Sequence, residues 1–220
     1  AFPDLNVIPY VIPGRTGAQL LPEDLALLYK SHSNVCAVKE ATADPVNMRR
    51  TRECCGSDFT ILSGDDGMTY EMMTDPAISA AGVISVASNV APKAITKMVQ
   101  LLNQGNQSEA KSLMLKLEPL FSLVTVKTTE KTPFGEVVCR ARNPVAYKAL
   151  MSILGMPAGG CRRPLGKLTR NGVDVVLEAA RKVHATAPDI LQPVADFFNV
   201  DIGQRLENPE NWQGLFYEDY

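Results

Sequence analysis

The sequence predicts an α/β fold, parallel strands joined by crossover helices and followed by a C-terminal helical region. Three observations carry this reading. Short apolar, β-branched runs alternate with helical stretches through the first half, at about 25 residues per unit, the rhythm of βα units. The pattern changes at Gln107, beyond which helical periodicity takes over. The run Val35-Cys36-Ala37-Val38 is apolar along its whole length, as a strand covered on both faces requires, and Lys39 stands at its end.

The elements follow in order. Leu5 to Ile12 reads as a first strand ended by Pro13-Gly14, weakened by Pro9, which has no N–H to give. Leu20 to Tyr29 is a helix with Pro22 in its first turn and Glu23 and Asp24 at the positive end of its dipole. After the Lys39 strand, Asp44 caps a helix that has Pro45 at its first position and runs to about Cys55. Phe59 to Ser63 is the third strand. Asp65-Asp66 after it reads as a helix cap with its dipole partner, rather than as a cation site. A helix through Tyr70 to Met73 leads to a fourth strand, Ala81 to Val86, and Pro92 to Asn103 is the next helix. Beyond Gln107, Ser108 to Val126, Asn143 to Leu154 and Asn171 to His184 are expected to be helical, with no further strands. Residues 188–220 read as a partly ordered extension in which Leu191 to Phe198 forms one short helix. The domain reading is therefore 1–106, 107–187 and 188–220. Four βα units are half of an eight-unit barrel, and half a barrel leaves two sheet edges and one layer of side chains uncovered.

Composition bounds the function. The chain of 220 residues, 45% apolar and 21% charged, suits an ordinary globular protein. A net charge of −2 without basic clusters points away from a nucleic-acid partner. The longest weakly polar run, Ala77 to Pro92, falls short of a bilayer span, so no membrane partner is expected. Ala1-Phe2-Pro3-Asp4 lacks the basic and apolar regions of a signal peptide, and there is no initiating Met. The five cysteines (Cys36, Cys54, Cys55, Cys139, Cys161) share no repeated spacing, and His32 and His184 lie far apart. Reduced thiols, a cytoplasmic location, no metal and no cofactor are the expectation.

Lys39 is the residue most in need of an explanation. A lysine at the dry end of a buried strand is costly unless it is paired or neutral. Neutral, its amine can attack a carbonyl and form a Schiff base. Paired, it would be held by Glu40 or another carboxylate. Tyr10, at the end of the first strand, is either a packed strand residue or a phenol that shuttles protons to a nearby amine. Arg15, in the loop that follows, is a surface charge or a fork for a carboxylate. Ser85 and Ser88 read as small packing residues.

Four segments in order settle the reading further: Tyr10-Val11-Ile12-Pro13-Gly14-Arg15-Thr16-Gly17, Val38-Lys39-Glu40-Ala41-Thr42, Leu62-Ser63-Gly64-Asp65-Asp66 and Gly82-Val83-Ile84-Ser85-Val86. Together they resemble the pyruvate-dependent class I aldolases typified by dihydrodipicolinate synthase and N-acetylneuraminate lyase, from about Phe2 to Val183. The resemblance implies a (β/α)8 barrel, of which this chain would supply the last four βα units, followed by a small helical region. It implies that Lys39 forms the Schiff base with pyruvate and that Tyr10 relays protons. It assigns Arg15 to the carboxylate of the second substrate, and Gly82 and Ile84 to the strand lining the pyruvate site. Arg15 favours the synthase branch, hence condensation of pyruvate with aspartate semialdehyde in lysine and diaminopimelate biosynthesis, in a homodimer or homotetramer. Other acceptors also fit the family: N-acetylneuraminate, 2-keto-3-deoxy sugar acid or 4-hydroxy-2-oxoglutarate chemistry. So does a truncated paralogue that acts only as a scaffold. Two departures stand out. Val11 occupies a position where the family usually has Asn. The Thr-Thr pair, the tyrosine supplied across the dimer interface and the inhibitory lysine site belong to the family's N-terminal half, and nothing in this sequence matches them. The chain is thus expected to be a C-terminal portion of such an enzyme.

Overall fold

Four parallel strands with helices crossing between them build the first part of the chain. In the computed structural model, which describes residues 4–218, the order is β1 (Tyr10–Val11), α1 (Pro13–Thr16), α2 (Pro22–Ser31), β2 (Ala37–Glu40), α3 (Pro45–Cys55), β3 (Thr60–Ser63), α4 (Thr69–Thr74), β4 (Gly82–Val83) and α5 (Pro92–Asn103). The strands lie side by side in chain order, all parallel. This is the barrel-type βα array that the alternation predicts. The first and fourth strands are shorter than expected. Pro9 cannot donate to a ladder, and Leu5, Val7 and Ile8 remain exposed outside the sheet. At β4 the ladder extends only by single bonds, from Ala81 N to Ile61 O and from Ile84 N to Ser63 O, each 2.9 Å.

The register sets two rows across the sheet. Tyr10, Lys39, Leu62 and Gly82 form one row; Val11, Glu40, Ser63 and Val83 form the next. Neighbouring residues on a strand face opposite sides. Val11, Val38 and Ile61 accordingly pack with Leu25, Met48, Phe59 and Met72 in the core beneath the helices. The Lys39 row looks the other way.

The described residues fall into two compact units. One runs to Ser85 and adds Thr96–Ser112; the other takes Val86–Ile95 and continues from Leu113. After α6 (Gln107–Phe121) the second unit departs from the expectation of helices alone. A hairpin of β5 (Thr125–Thr132) and β6 (Gly135–Arg142) intervenes, antiparallel and closed by Pro133-Phe134. The helix expected to reach Val126 stops at Phe121 because Thr125-Val126-Lys127-Thr128-Thr129 is β-branched at four of five positions and pairs with the segment from Val138 to Arg142 across the ladder. Helices α7 (Val145–Ile153), α8 (Arg170–Thr186), α9 (Gln192–Phe198) and α10 (Ile202–Glu207) follow. Tyr147, Leu150, Val173, Val176 and Val183 are buried in this unit, and the Tyr147 hydroxyl donates to the Leu120 carbonyl at 2.7 Å. Residues 188–218 are more ordered than a loose extension. The helix expected at Leu191 to Phe198 is α9, and Ile190, Leu191, Val194, Ile202, Leu206 and Trp212 are all buried.

One side chain in the first unit holds three segments together. The Arg52 guanidinium, on α3, donates to the carbonyls of Gly56, Ser57 and Phe59 just before β3, and of Ile78 and Ser79 before β4. Ser79 has φ +49°, a left-handed conformation that a non-glycine residue adopts at a cost. Hydrogen bonds from a charged group are worth about 1.5–3 kcal/mol, more than neutral ones. Arg52→Ala should therefore lower the unfolding free energy of this unit by about 3 kcal/mol. Arg52→Lys, which cannot reach five carbonyls with three donors, should recover less than half of that in urea titrations.

Candidate active site

The carboxyl ends of β1 and β2 bring Tyr10 and Lys39 together. Backbone bonds from Lys39 N to Pro9 O and from Ala41 N to Val11 O, both 2.9 Å, lock the two strands in register. Tyr10 and Lys39 are thereby direct neighbours, and Lys39 Nζ sits 4.0 Å from the centroid of the Tyr10 ring. A cation is attracted to that face. Tyr10 is 47% exposed and Lys39 half-buried, so both are open to a ligand from the side away from the helices. The contact is with the ring and not with the hydroxyl, so the phenol must turn before it can exchange a proton with the amine.

Glu40 does not pair with Lys39. Alternation turns it to the opposite face of β2, where it is 1% exposed. Its carboxylate accepts from the Thr42 N–H at 2.7 Å and from the Asn47 amide at 3.1 Å, and Gln19 donates to Asn47 Oδ1 at 2.8 Å. Burial raises its pKa against those hydrogen bonds. Thr42 Oγ1 accepts from the Asp44 N–H at 3.2 Å across Ala43, which has φ +57°. The turn after Lys39 is thus held in a sparsely populated conformation by the buried carboxylate and by Thr42.

The other expected residues surround this pair at different removes. Gly82 lies in the same row as Tyr10 and Lys39, beyond Leu62. Ile84 is one step further along, its N–H bonded to Ser63 O and its side chain partly exposed. Arg15 is on α1, in the connection that leaves β1 at its carboxyl end, with an exposed side chain. Asp65 is a cap, as expected: its carboxylate accepts from the Gly67 N–H at 2.9 Å. Among the described residues, no group of three His, Cys, Asp or Glu could hold a metal ion.

Two contributors were not singled out from the sequence. A Cβ at Gly64 would lie 2.8 Å from the Ala41 Cβ and 3.0 Å from the Lys39 Cγ, so only glycine leaves room for the lysine stem. The clue was its place directly after a strand that neighbours the lysine strand. The Gln19–Asn47–Glu40 chain ties the loop behind Arg15 to the lysine strand, but Asn47 lies 7 positions from Glu40 and 28 from Gln19, and neither spacing is a local signal for the contact.

A parallel βα array with a lysine and a tyrosine side by side at the carboxyl ends of adjacent strands is of the (β/α)8 barrel class, in which strand ends carry the chemistry. The model of the Dihydrodipicolinate synthetase family matches residues 1–182, and the chain belongs to that family. It is 32% identical over 180 residues to the 4-hydroxy-tetrahydrodipicolinate synthase of Desulforamulus reducens, covering 82% of this chain and 55% of that one. The synthase of Citrifermentans bemidjiense is 36% identical over 164 residues, covering 74% and 50%. Among solved structures, the DHDPS of Cyanidioschyzon merolae with lysine bound is similar with a TM-score of 0.70 at 30% identity, over 82% of this chain and 55% of that one. The 4-hydroxy-tetrahydrodipicolinate synthase of Methylacidiphilum fumariolicum SolV gives 0.71 at 26% identity, over 87% and 57%. The chain spans about half the length of the curated relatives it matches.

The raised pKa of Glu40 has a signed effect on stability. The folded state holds the Glu40 proton more tightly than the unfolded state, whose carboxyl titrates near 4.5. As pH rises from that value through the higher folded one, the native state loses stability relative to the unfolded chain. Glu40→Gln keeps one acceptor oxygen, enough for Thr42 or Asn47 but not for both, at a cost that does not vary with pH, and it removes the titration. The stability difference, variant minus parent, should increase across this window and then level off. Urea unfolding at a series of pH values from 4 upward checks it; a flat difference would show that Glu40 does not titrate abnormally.

Proposed function

We propose that Lys39 is the amine that forms an imine with pyruvate, and that the protein condenses the resulting enamine with aspartate semialdehyde, the reaction of 4-hydroxy-tetrahydrodipicolinate synthase. The observation that carries this reading is the in-register contact of Lys39 with Tyr10 at the open carboxyl ends of β1 and β2. The Lys39 amine attacks the keto carbon, and the carbinolamine loses water to give the imine. A proton then leaves the pyruvate methyl group, and the enamine carbon attacks the aldehyde carbon, whose oxygen takes up a proton. Tyr10 serves as the acid–base group for these transfers, within reach of the amine once its ring turns. Arg15 binds the carboxylate of the acceptor, since a guanidinium offers two parallel donors to it. The backbone at Gly82 and Ile84 lines the pyruvate side. The synthase name that the curated relatives carry supports this reaction and, with it, lysine biosynthesis as the pathway; a homo-oligomer acting in the cytoplasm is part of the same proposal. No described helix is long and apolar enough to cross a membrane.

Borohydride reduction in the presence of pyruvate should leave a single adduct, located by digestion and mass spectrometry on the peptide containing Lys39. An adduct on Lys93, Lys97 or another lysine overturns the assignment. In Tyr10→Phe the rate of adduct formation should fall by about 10²–10⁴-fold, the range for loss of a general acid–base group, with the circular dichroism unchanged. A rate within a few-fold of the parent would make Tyr10 a packing residue.

A further inference from the structure

The β5–β6 hairpin has one packed face and one open face. On the packed side, the Thr128 and Thr169 hydroxyls share a hydrogen bond of 3.2 Å, and Glu130 accepts from the Asn171 amide at 2.7 Å. Alternation turns Lys127, Thr129 and Lys131 the other way, with Val138 and Arg140 on the same face across the ladder, and all five are exposed. Lys127 and Arg140 stand directly opposite each other. Like charges so placed destabilise a sheet. Glu136, opposite Lys131 near the hairpin tip, is the acid on this face. Among the described residues, neither Glu136 nor any other carboxylate forms an ion pair with Lys127, Lys131 or Arg140. Arg142, at the base of the same face, is half-buried and already engaged.

The strand edge beside these cations is unfinished. Asn143 N–H donates to the Val124 carbonyl at 2.8 Å, continuing the register in which Val126 faces Ala141 and Thr128 faces Cys139. In an antiparallel ladder the hydrogen-bonded pairs recur at every second residue. Ala141 and Cys139 therefore bond inward to β5, while the N–H and C=O groups of Val138 and Arg140 point to the outer edge. Among the described residues the sheet has two strands. A cleft of about 400 Å3 runs along this edge, lined by the five successive residues from Val138 to Arg142 and, on its far wall, by Leu165, Leu168 and Tyr217. Five residues in a row can line a space only along a strand's edge, because its faces alternate. Glu218, exposed, follows Tyr217. Such an edge is a template for another chain. A second copy of β6 fits it poorly, since antiparallel pairing about Arg140 or Ala141 opposes arginine to arginine. A nucleic acid would meet the cations but offers no peptide groups to the edge.

We propose that the outer edge of β6 takes up an extended segment of a partner protein as a third strand, with acidic side chains at every second residue. Main-chain bonds to Val138 and Arg140 set its register, and side chains at alternate positions set its specificity. The residue opposite Arg140 shares the open face, where a carboxylate relieves the opposition of Lys127 and Arg140. The residues between the acids turn to the cleft, where Leu165 and Leu168 favour small apolar side chains. The inference is independent of imine formation at Lys39. The test is titration of the full chain into a labelled peptide of alternating Glu and Val, read by fluorescence anisotropy. Binding should saturate, weaken at higher salt, and slow hydrogen exchange at the Val138 and Arg140 amides. A peptide of the same composition with its Glu residues in one block should bind about tenfold more weakly or worse. Lys127→Gln with Arg140→Gln should weaken binding by a similar factor. Val138→Pro removes an outward N–H, a place where proline is tolerated, and should weaken binding without removing a cation. Both variants should keep the parent's circular dichroism. The proposal is overturned if the alternating peptide fails to saturate in the millimolar range or binds no better than the block peptide. Unprotected Val138 and Arg140 amides, unchanged binding in the double variant, or tighter binding of a short DNA duplex also overturn it.

Discussion

A four-residue strand does two incompatible jobs because its side chains alternate. On one side of β2, Val38 and Glu40 are sealed beneath helices; on the other, Lys39 stands in the open beside Tyr10. The backbone ladder to β1 and β3 fixes which residue takes which side, and a slip of one residue would bury the lysine and expose the glutamate. Everything proposed for the site rests on that register. Gly64 clears the space, the Glu40 carboxylate holds the turn that follows, and Asn47 and Gln19 carry the constraint to the loop behind Arg15.

The buried carboxylate is an expensive way to hold a turn. Desolvation works against its charge, and two donors, Thr42 N–H and Asn47, offset part of that cost. A turn fixed from beneath needs no side chain of its own on the Lys39 side of the strand. Arg52 acts similarly further along the sheet, where it binds five carbonyls of the segments that enter β3 and β4. In both places a polar side chain reaching backbone atoms sets the shape of a loop, and apolar packing supplies the bulk of the core.

Much of the first unit was legible in the sequence because its signals are local. Asp44-Pro45 marks a helix start by capping chemistry, and the structure has the helix at Pro45–Cys55 with the Asp44 carboxylate on the Val46 N–H. The apolar run before Lys39 marked the strand only to within two residues: β2 is Ala37–Glu40, so Val35-Cys36 lies before it, Cys36 is exposed, and Lys39 and Glu40 lie inside it. The hairpin was missed for a physical reason. Its alternation is of Thr and Lys with few large apolar residues, and one of its strands is mostly exposed, so neither a buried run nor an amphipathic pattern marks it. The alternative in which Glu40 pairs with Lys39 fails because adjacency in sequence means opposite faces in a strand. Gln19 and Asn47 were out of reach for a different reason: their meeting depends on how two connections fold over the sheet.

The two compact units are interleaved along the chain. Residues up to Ser85 and Thr96–Ser112 belong to one, while Val86–Ile95 belongs to the other and has no further company until Leu113. During synthesis from the N-terminus, the ten residues Val86–Ile95 therefore emerge before any of the segments that complete their unit, and must wait in an unfinished environment while the first unit closes around Thr96–Ser112. Domains that form in strict order on the ribosome avoid such a delay. For this chain, no single cut separates the two units.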